Sequence, residues 1–412
     1  MKRRRLLACA SAALFGVMPV WRSRSARVAA KTMSPPTETP DGAAREVTLF
    51  LCGDVMTGRG VDQILPHPSS PELFEPYMRS AVGYVELAER ASGPIPKPVD
   101  FAYVWGDALA ELERMRPDAR IVNLETSVTA SNDAWPHKGI HYRMHPANVP
   151  CLTTARLDCC VLANNHVLDW GRSGLAETLD VLRHAGLRTA GAGCDEVEAA
   201  APAIIELAGN RRMLVFAFCT ESSGVPPAWA ATRDQSGVNL LKDLSRDSVE
   251  AIGREVQAHK RAGDIAVLSL HWGGNWGYEI SAREQEFARR LIDTASVDVV
   301  HGHSSHHPKG IEVHRDKLIL YGCGDFLTDY EGISGHEAYR GDLGLMYFAT
   351  LDVDNGRLLR VAMTPTRMQK LRVNRATADE ACWVLQTLNR ESKGLGTRIE
   401  QRTDGGFQLH WD

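Results

Sequence analysis

No two cysteines in this chain are spaced Cys-x-x-Cys, which excludes zinc ribbons and thioredoxin-type redox chemistry. Of the nine cysteines, Cys52, Cys159, Cys160, Cys219 and Cys323 sit in or beside apolar runs, where cysteine acts as a small apolar residue. Adjacent Cys159 and Cys160 point to opposite faces of a strand and are not placed to pair with each other. An excess of positive charge is also lacking: 47 Lys and Arg stand against 51 Asp and Glu, for a net charge of -4. That leaves no broad basic surface, so nucleic acid is excluded as a partner on electrostatic grounds, while local anion sites stay open. Internal repeats are absent. The apolar run from Leu6 to about Trp21 falls short of the roughly 20 residues an uncleaved membrane anchor needs.

With 412 residues, 44% hydrophobic and 24% charged, the chain has the composition of a soluble globular protein of one large domain or two smaller ones. Residues 1–45 form an export-like segment and linker. Basic Lys2 to Arg5 precede the apolar run, Ala29-Ala30 follow, and Thr32 to Pro40 is rich in proline and threonine. Arg3-Arg4 before Arg5-Leu6-Leu7 is similar to a twin-arginine signal, a route that carries folded proteins and would reconcile export with reduced thiols. Arg22, Arg24 and Arg27 oppose export, because they place positive charge behind the apolar run. Export to the cell envelope is the favoured reading, with any membrane contact made through the N-terminus alone. The alternative is a cytoplasmic protein with an N-terminal extension, which the cysteines favour.

Strand and helix patterns alternate from residue 46 onward. Val47 to Cys52 reads as the first buried strand, Arg120 to Leu124 as the second, and Cys159 to Ala163, Met213 to Cys219, Ile265 to Leu270 and Val297 to His301 as later ones. A short strand is expected near Leu187 to Ala190. Helical spacing covers Trp105 to Arg116, Ser173 to Ala185, Leu244 to Ala262 and Ala282 to Thr294. The proline-rich stretch Pro66 to Pro98, with a helix near Tyr77 to Ala91, reads as an insertion over the sheet. This alternation predicts an α/β fold with a mainly parallel sheet covered on both faces. Lys317 to Tyr321, Gly344 to Val353 and Leu358 to Pro365 lack intervening helices and are expected as antiparallel strands. Residues 46–370 form the main domain, and 371–412 add a helix at Ala376 to Asn389 and a strand at Gly406 to Trp411 packed on it.

Five clusters of ligand-type residues fall where a predicted strand runs into a loop. They are Gly53-Asp54-Val55-Met56, Asn123-Leu124-Glu125, Asn164-Asn165-His166 with Asp169, His271-Trp272-Gly273, and Gly302 to His307. Loops at strand ends of an open α/β sheet converge on one crevice, so these clusters predict a metal site there. Asp54 can reach a cation at the sheet edge; a turn or N-cap aspartate is the plainer alternative. Glu125 can bridge two ions. Asn165 offers a neutral amide oxygen, and His166 beside it suits a general acid. Asp169, three residues on, is expected to orient His166 and raise its pKa. His271, His303 and His306 supply imidazole nitrogens from two neighbouring strand ends, a donor type suited to zinc, manganese or iron. His301 is expected to point within its strand, and His307 to lie a step beyond the site.

Residues that could hold substrate are Arg59, on the Gly58-Arg59-Gly60 turn, and Lys138 and Arg143, on the loop Trp135 to Arg143. Cationic and aromatic groups there suit a ligand rich in carboxylate or phosphate, although a solvated loop has the same composition. Asp329 to Gly332 would rim the cleft, with Trp272 and Trp276 as walls.

Taken in order, Gly53-Asp54-Val55-Met56-Thr57-Gly58-Arg59, Asn123-Leu124-Glu125, Leu162 to Gly171, His271-Trp272-Gly273 and Gly302 to His306 resemble the signature of the CapA family. These are poly-γ-glutamate capsule-biosynthesis proteins, themselves similar to calcineurin-like metallophosphatases. The likeness runs from about Val47 to Tyr330. It implies a four-layer α/β/β/α sandwich of the metallophosphatase type, with two mixed sheets and a metal centre at the strand ends. By position, Asp54 and His306 would serve one divalent ion, and Asn165, His271 and His303 the other. Glu125 would bridge and His166 act as acid. The ions would be manganese, iron or zinc, one or two per chain.

Departures from the pattern bear on that centre. Metallophosphatases carry a histidine two residues after the first aspartate, where this chain has Met56, and Glu125 stands where they usually carry aspartate. One metal position is therefore short of ligands, and Arg59 could supply positive charge instead. The late turn Tyr321 to Phe326 matches the family's Gly-Asn-Phe with Asp325 in place of asparagine. The resemblance implies a metal-dependent hydrolase in capsule or poly-γ-glutamate biosynthesis, acting on an anionic polymer or phosphoester, with capsule synthase subunits as partners. Two alternatives stand beside it: a polymer-binding accessory subunit without turnover, favoured by Met56, and a cytoplasmic metallophosphodiesterase.

Overall fold

Alternating faces along a few strands organise the molecule. In Ile265–His271, the side chains of Ala266, Leu268 and Leu270 enter one apolar cluster, and those of Ile265 and Val267 enter another, as the two-residue period of a strand requires. The first cluster is filled from the other side by Val249, Ile252 and Val256 of helix Arg246–His259 and by Phe287, Ala288 and Leu291 of helix Ala282–Ala295. The second is shared with Leu49, Phe50 and Leu51 of the first strand. The six-stranded sheet therefore packs helices on one face and turns the other toward the larger core. These observations come from a computed structural model that describes residues 46–412; the export-like segment and linker expected at 1–45 lie outside the described residues.

The fold is mixed α/β, with several sheets of which two are large. Across the ten-stranded sheet the order is Thr397–Gln401, Phe407–Trp411, Leu358–Met368, Leu343–Asp352, Glu46–Val55, Ala119–Leu124, Cys159–Val161 and Arg188–Ala190. Asp325–Leu327 pairs with Glu46–Val55, and Val373–Arg375 pairs with Leu358–Met368. The six-stranded sheet runs Ile311–His314, Lys317–Leu320, Val299–His303, Ile265–His271, Arg211–Cys219 and Ala203–Leu207. From Glu46–Val55 to Arg188–Ala190 the larger sheet is parallel, and so is the smaller from Arg211–Cys219 to Lys317–Leu320. Central strands such as IAVLSLH are buried along their whole length, the pattern of parallel strands covered on both sides.

The long predicted elements occur within a few residues of their expected bounds. Helix Ala282–Ala295 begins at a capping box, in which Ser281 and Glu284 each bond the other's backbone N–H, and Ala378–Ser392 begins at another between Thr377 and Glu380. The expected insertion contains the helix Val82–Ser92. Lys317–Leu320 differs from expectation, since it runs parallel to Val299–His303 and antiparallel only to Ile311–His314. A short hairpin, not a helix, returns the chain to the sheet there. No helix among the described residues is long and apolar enough to cross a membrane. The cysteines among the described residues are free; Cys194 and Cys382 are exposed and the others buried.

Candidate metal centre

Strand register assembles the centre. Asp54, at the end of the first strand, is the register partner of Asn123 on one side and of Asp325 on the other. In the second sheet, His271 and His303 are register partners on adjacent parallel strands. The backbones of the first strand and the late turn touch: a Cβ at Gly53 would fall 1.6 Å from the carbonyl oxygen of Gly324, so only glycine fits there. Asp54 N–H donates to that oxygen at 3.0 Å, and Met56 N–H to Leu327 O at 2.7 Å. Just past His303, Ser304 holds a positive φ of 98° and donates its N–H to Asp54 Oδ2 at 3.3 Å. Left-handed backbone at a non-glycine residue is a strained conformation of the kind that recurs at functional sites.

The ligand atoms of Asp54, His271 and His303, all buried, lie within 4.8 Å of one another. His271 Nδ1 and His303 Nδ1 face each other at 2.7 Å, and His303 Nδ1 is 3.8 Å from Asp54 Oδ1. Ser269 Oγ holds the other ring nitrogen of His303 at 2.7 Å. Glu125 and Asn165 flank this triad: Glu125 Oε1 is 3.8 Å from His271 Nε2, and Asn165 Oδ1 is 3.2 Å from the same nitrogen. His306 stands outside the triad, with its Nδ1 2.9 Å from Asp325 Oδ1. His301 is structural, as expected, bonded to Cys52 O at 2.7 Å and to Ser269 Oγ at 3.2 Å.

Buried negative charge is concentrated here. Burial, followed by the Asp325 carboxylate, pushes Asp54 up to about 7. Glu125 is raised by burial and then by Asp54. His271 and His303 are driven down by burial and by neighbouring imidazoles, which leaves them neutral with lone pairs to donate. Burial alone would lower His306, but the Asp325 carboxylate outweighs it and holds the imidazole above its usual value. One carboxylate oxygen, Asp325 Oδ2, is buried and has no hydrogen-bond partner. Crowded carboxylates, neutral imidazoles and an unpartnered buried oxygen form a donor set suited to a divalent cation of the zinc, manganese or iron type.

His166 lies at the edge of the cluster, with Nε2 3.9 Å from Glu125 Oε1 and Nδ1 2.7 Å from Asp169 Oδ2. The orienting carboxylate is thus where the sequence puts it, but the expected rise in pKa does not occur. Burial, then the ammonium of Lys138, pull His166 down to about 4 and outweigh Asp169. Lys138 is expected on a substrate loop; its Nζ pairs instead with Asp169 and lies 3.0 Å from His166 Nδ1. Arg143 is likewise engaged within the protein. Its guanidinium donates to Ser131 O at 2.6 Å and Asn132 Oδ1 at 2.9 Å and lies 3.8 Å over the Trp170 ring. Arg59 is buried between Tyr84 and Tyr142, bidentate to Asp329 and paired with Glu75 at 2.9 Å.

Three residues to which the sequence assigns no role in the site belong to the cluster. Asn123 Nδ2 donates to Asp54 Oδ1 at 2.7 Å and to Glu125 Oε2 at 3.2 Å, fixing both carboxylates. Ser269 orients His303. Asp325 stands beside Asp54, and its signal was the aspartate in place of asparagine in the late turn. A cleft of about 800 Å³ opens beside His306, with Arg59, Trp276, Tyr330, Arg340 and Arg367 in its walls. Glu331 and Gly332 also line it, in keeping with the expected rim, whereas Trp272 is core, stacked on Tyr321.

The chain has relatives among proteins named for capsule and polyglutamine synthesis. It is 50% identical over 364 residues to a Mycobacterium tuberculosis protein named "Probable polyglutamine synthesis accessory protein", covering 88% of this chain and 96% of that one. It is 28% identical over 278 residues to the PGA biosynthesis protein CapA of Bacillus subtilis, covering 67% of this chain and 62% of that protein. Against the capsule biosynthesis protein CapA of Bacillus anthracis, identity is 23% over 285 residues, covering 69% and 60%. The sequence profile of the bacterial capsule synthesis protein PGA_cap matches residues 48–330, a span that holds all five ligand clusters. The chain belongs to the bacterial capsule synthesis protein PGA_cap family.

Proposed function

We propose that this protein is a metal-dependent hydrolase of the CapA type, which processes an anionic polymer or phosphoester during capsule or poly-γ-glutamate biosynthesis alongside capsule synthase subunits. The observation that carries the reading is the convergence of Asp54, His271 and His303 from two sheets, with His166 held at its edge by Asp169. The two large sheets, with helices on the outer face of the smaller one, support an α/β/β/α sandwich of the metallophosphatase type. Residues 46–370 would form this domain, with 371–412 as an addition to it.

Asp54, His271, His303, Asn165 and Glu125 would hold one or two divalent ions. A bound divalent ion would lower the pKa of a coordinated water and stabilise negative charge developing on a phosphoryl or carbonyl oxygen. His166 would face the reacting group through Nε2, on the Glu125 side, and would act as an acid when protonated there, while Asp169 fixes the ring by accepting from Nδ1–H. The cleft beside His306 would receive the substrate.

A second reading is a polymer-binding accessory subunit without turnover. Met56 favours it, since a fully buried thioether stands where a metallophosphatase has an imidazole. The name of the mycobacterial relative points the same way. Metal content of the purified protein, followed by assay on model phosphodiesters and γ-glutamyl amides, separates the two. Hydrolysis that disappears together with bound metal in His303→Ala is expected of the enzyme. Hydrolysis retained in a metal-free His303→Ala refutes the metal-dependent reading, and metal binding without turnover of either substrate class leaves the accessory role.

A further inference from the structure

Asp325 differs from the other carboxylates of the centre in how little holds it. It is 2% exposed, and its Oδ1 faces His306 Nδ1 at 2.9 Å. Oδ2 is buried and accepts from nothing. Buried carboxylates are found paired, hydrogen-bonded or bound to metal, so a bare oxygen here marks a missing partner. The position is informative too. Asp325 is the register partner of Asp54, and the backbone from Asp54 to Met56 is bonded to Gly324 and Leu327 on either side of it. The aspartate therefore lies alongside the segment whose expected imidazole is replaced by Met56.

We propose that Asp325 is a metal donor in this chain: its free Oδ2, together with Asp54, builds an oxygen-rich cation position beside the Asp54, His271 and His303 triad, while its Oδ1 holds His306 Nδ1. The inference rests on the metal-centre reading above and adds a ligand to it. One lost imidazole is answered by one gained carboxylate on the adjacent strand. The two positions then differ in chemistry: a donor set richer in carboxylate favours manganese over softer ions, while the imidazole-rich triad suits zinc.

Equilibrium dialysis of metal-free protein against Mn²⁺, with metal counted by elemental analysis, tests the assignment in wild type, Asp325→Asn, Asp325→Glu and His303→Ala. Asparagine keeps an oxygen for His306 Nδ1–H and removes the anionic donor. The expected result is that Asp325→Asn loses one manganese equivalent, or binds it more than tenfold more weakly. Asp325→Glu, which keeps a carboxylate, should recover part of that loss. Unchanged stoichiometry and affinity in Asp325→Asn would overturn the proposal and leave Asp325 as an orienting partner of His306, while metal loss in His303→Ala would still uphold the centre itself. Wild-type protein that binds no metal would overturn both. A melting temperature for metal-free Asp325→Asn at or above that of wild type separates a lost donor from a lost fold.

Discussion

Ser269 Oγ stands 2.7 Å from His303 Nε2, so the opposite ring nitrogen is turned toward His271 and Asp54. A hydroxyl one strand away thus fixes which ring nitrogen of His303 points into the cluster. Ser269→Ala should leave the fold intact and weaken metal binding by about 10–100-fold, the usual cost of losing such an outer partner. Calorimetric titration with Mn²⁺ or Zn²⁺ measures it, and an unaltered affinity would mean that packing alone orients the ring.

Lys138 bears on His166 through charge. Burial and the Lys138 ammonium together lower the imidazole to about 4 from an ordinary 6.5. Lys138→Met removes the second cause and leaves the Asp169 carboxylate, which acts in the opposite direction. His166 should then titrate well above 4, and NMR of the metal-free protein across pH 4 to 8 would follow the shift. A titration still centred near 4 would assign the whole effect to burial.

Arg59 ties three segments together, from the first strand's turn to Glu75 in the insertion and Asp329 in the late loop. Its side chain and both carboxylates are almost completely buried. Arg59→Ala would strand two buried charges, a change that typically costs about 3–5 kcal/mol. Urea denaturation should show a loss of that order, and a change below about 1 kcal/mol would mean that the insertion opens and lets water reach both carboxylates.

Asp54 sets a pH dependence whose sign can be worked out. Its carboxyl titrates near 7 when folded, against 3.8 ordinarily. Below 3.8 the folded and unfolded chains are both protonated, so the group's favourable contribution is complete there. It is lost as pH rises through about 7, where the folded chain must carry a crowded buried charge. Metal-free Asp54→Asn should therefore melt above wild type at pH 8, by roughly 2 °C for each kcal/mol relieved. The difference should vanish by pH 4, and scanning calorimetry at the two pH values checks it.

Residues at the ends of buried strands were legible because local signals agreed. Asp54, His271 and His303 each close an apolar run, and a polar ligand at such a boundary has little structural reason to be there. His166 with Asp169 was legible through spacing alone. What escaped was pairing between remote segments. Ala203–Leu207, Ile311–His314 and Thr397–Gln401 are short strands with antiparallel neighbours, and their five, four and five residues hold too little periodicity to stand out. Lys138 and Arg143 looked like exposed loop cations because their partners, Asp169 and Trp170, lie more than 25 residues further along. The fall in the His166 pKa was hidden for the same reason, since burial and Lys138 both act through the tertiary fold.

The contact between Gly53 and Gly324 has an outcome for how the molecule comes into being. The first strand has Ala119–Leu124 on one side, while its other neighbours, Asp325–Leu327 and Leu343–Asp352, are among the later segments to be synthesised. A nascent chain that has not reached Asp352 holds Glu46–Val55 with an open flank, and such unpaired edges invite association with other chains. Premature termination between His307 and Asp325 would yield a polypeptide carrying all five ligand clusters yet lacking the strand that pairs with Asp54.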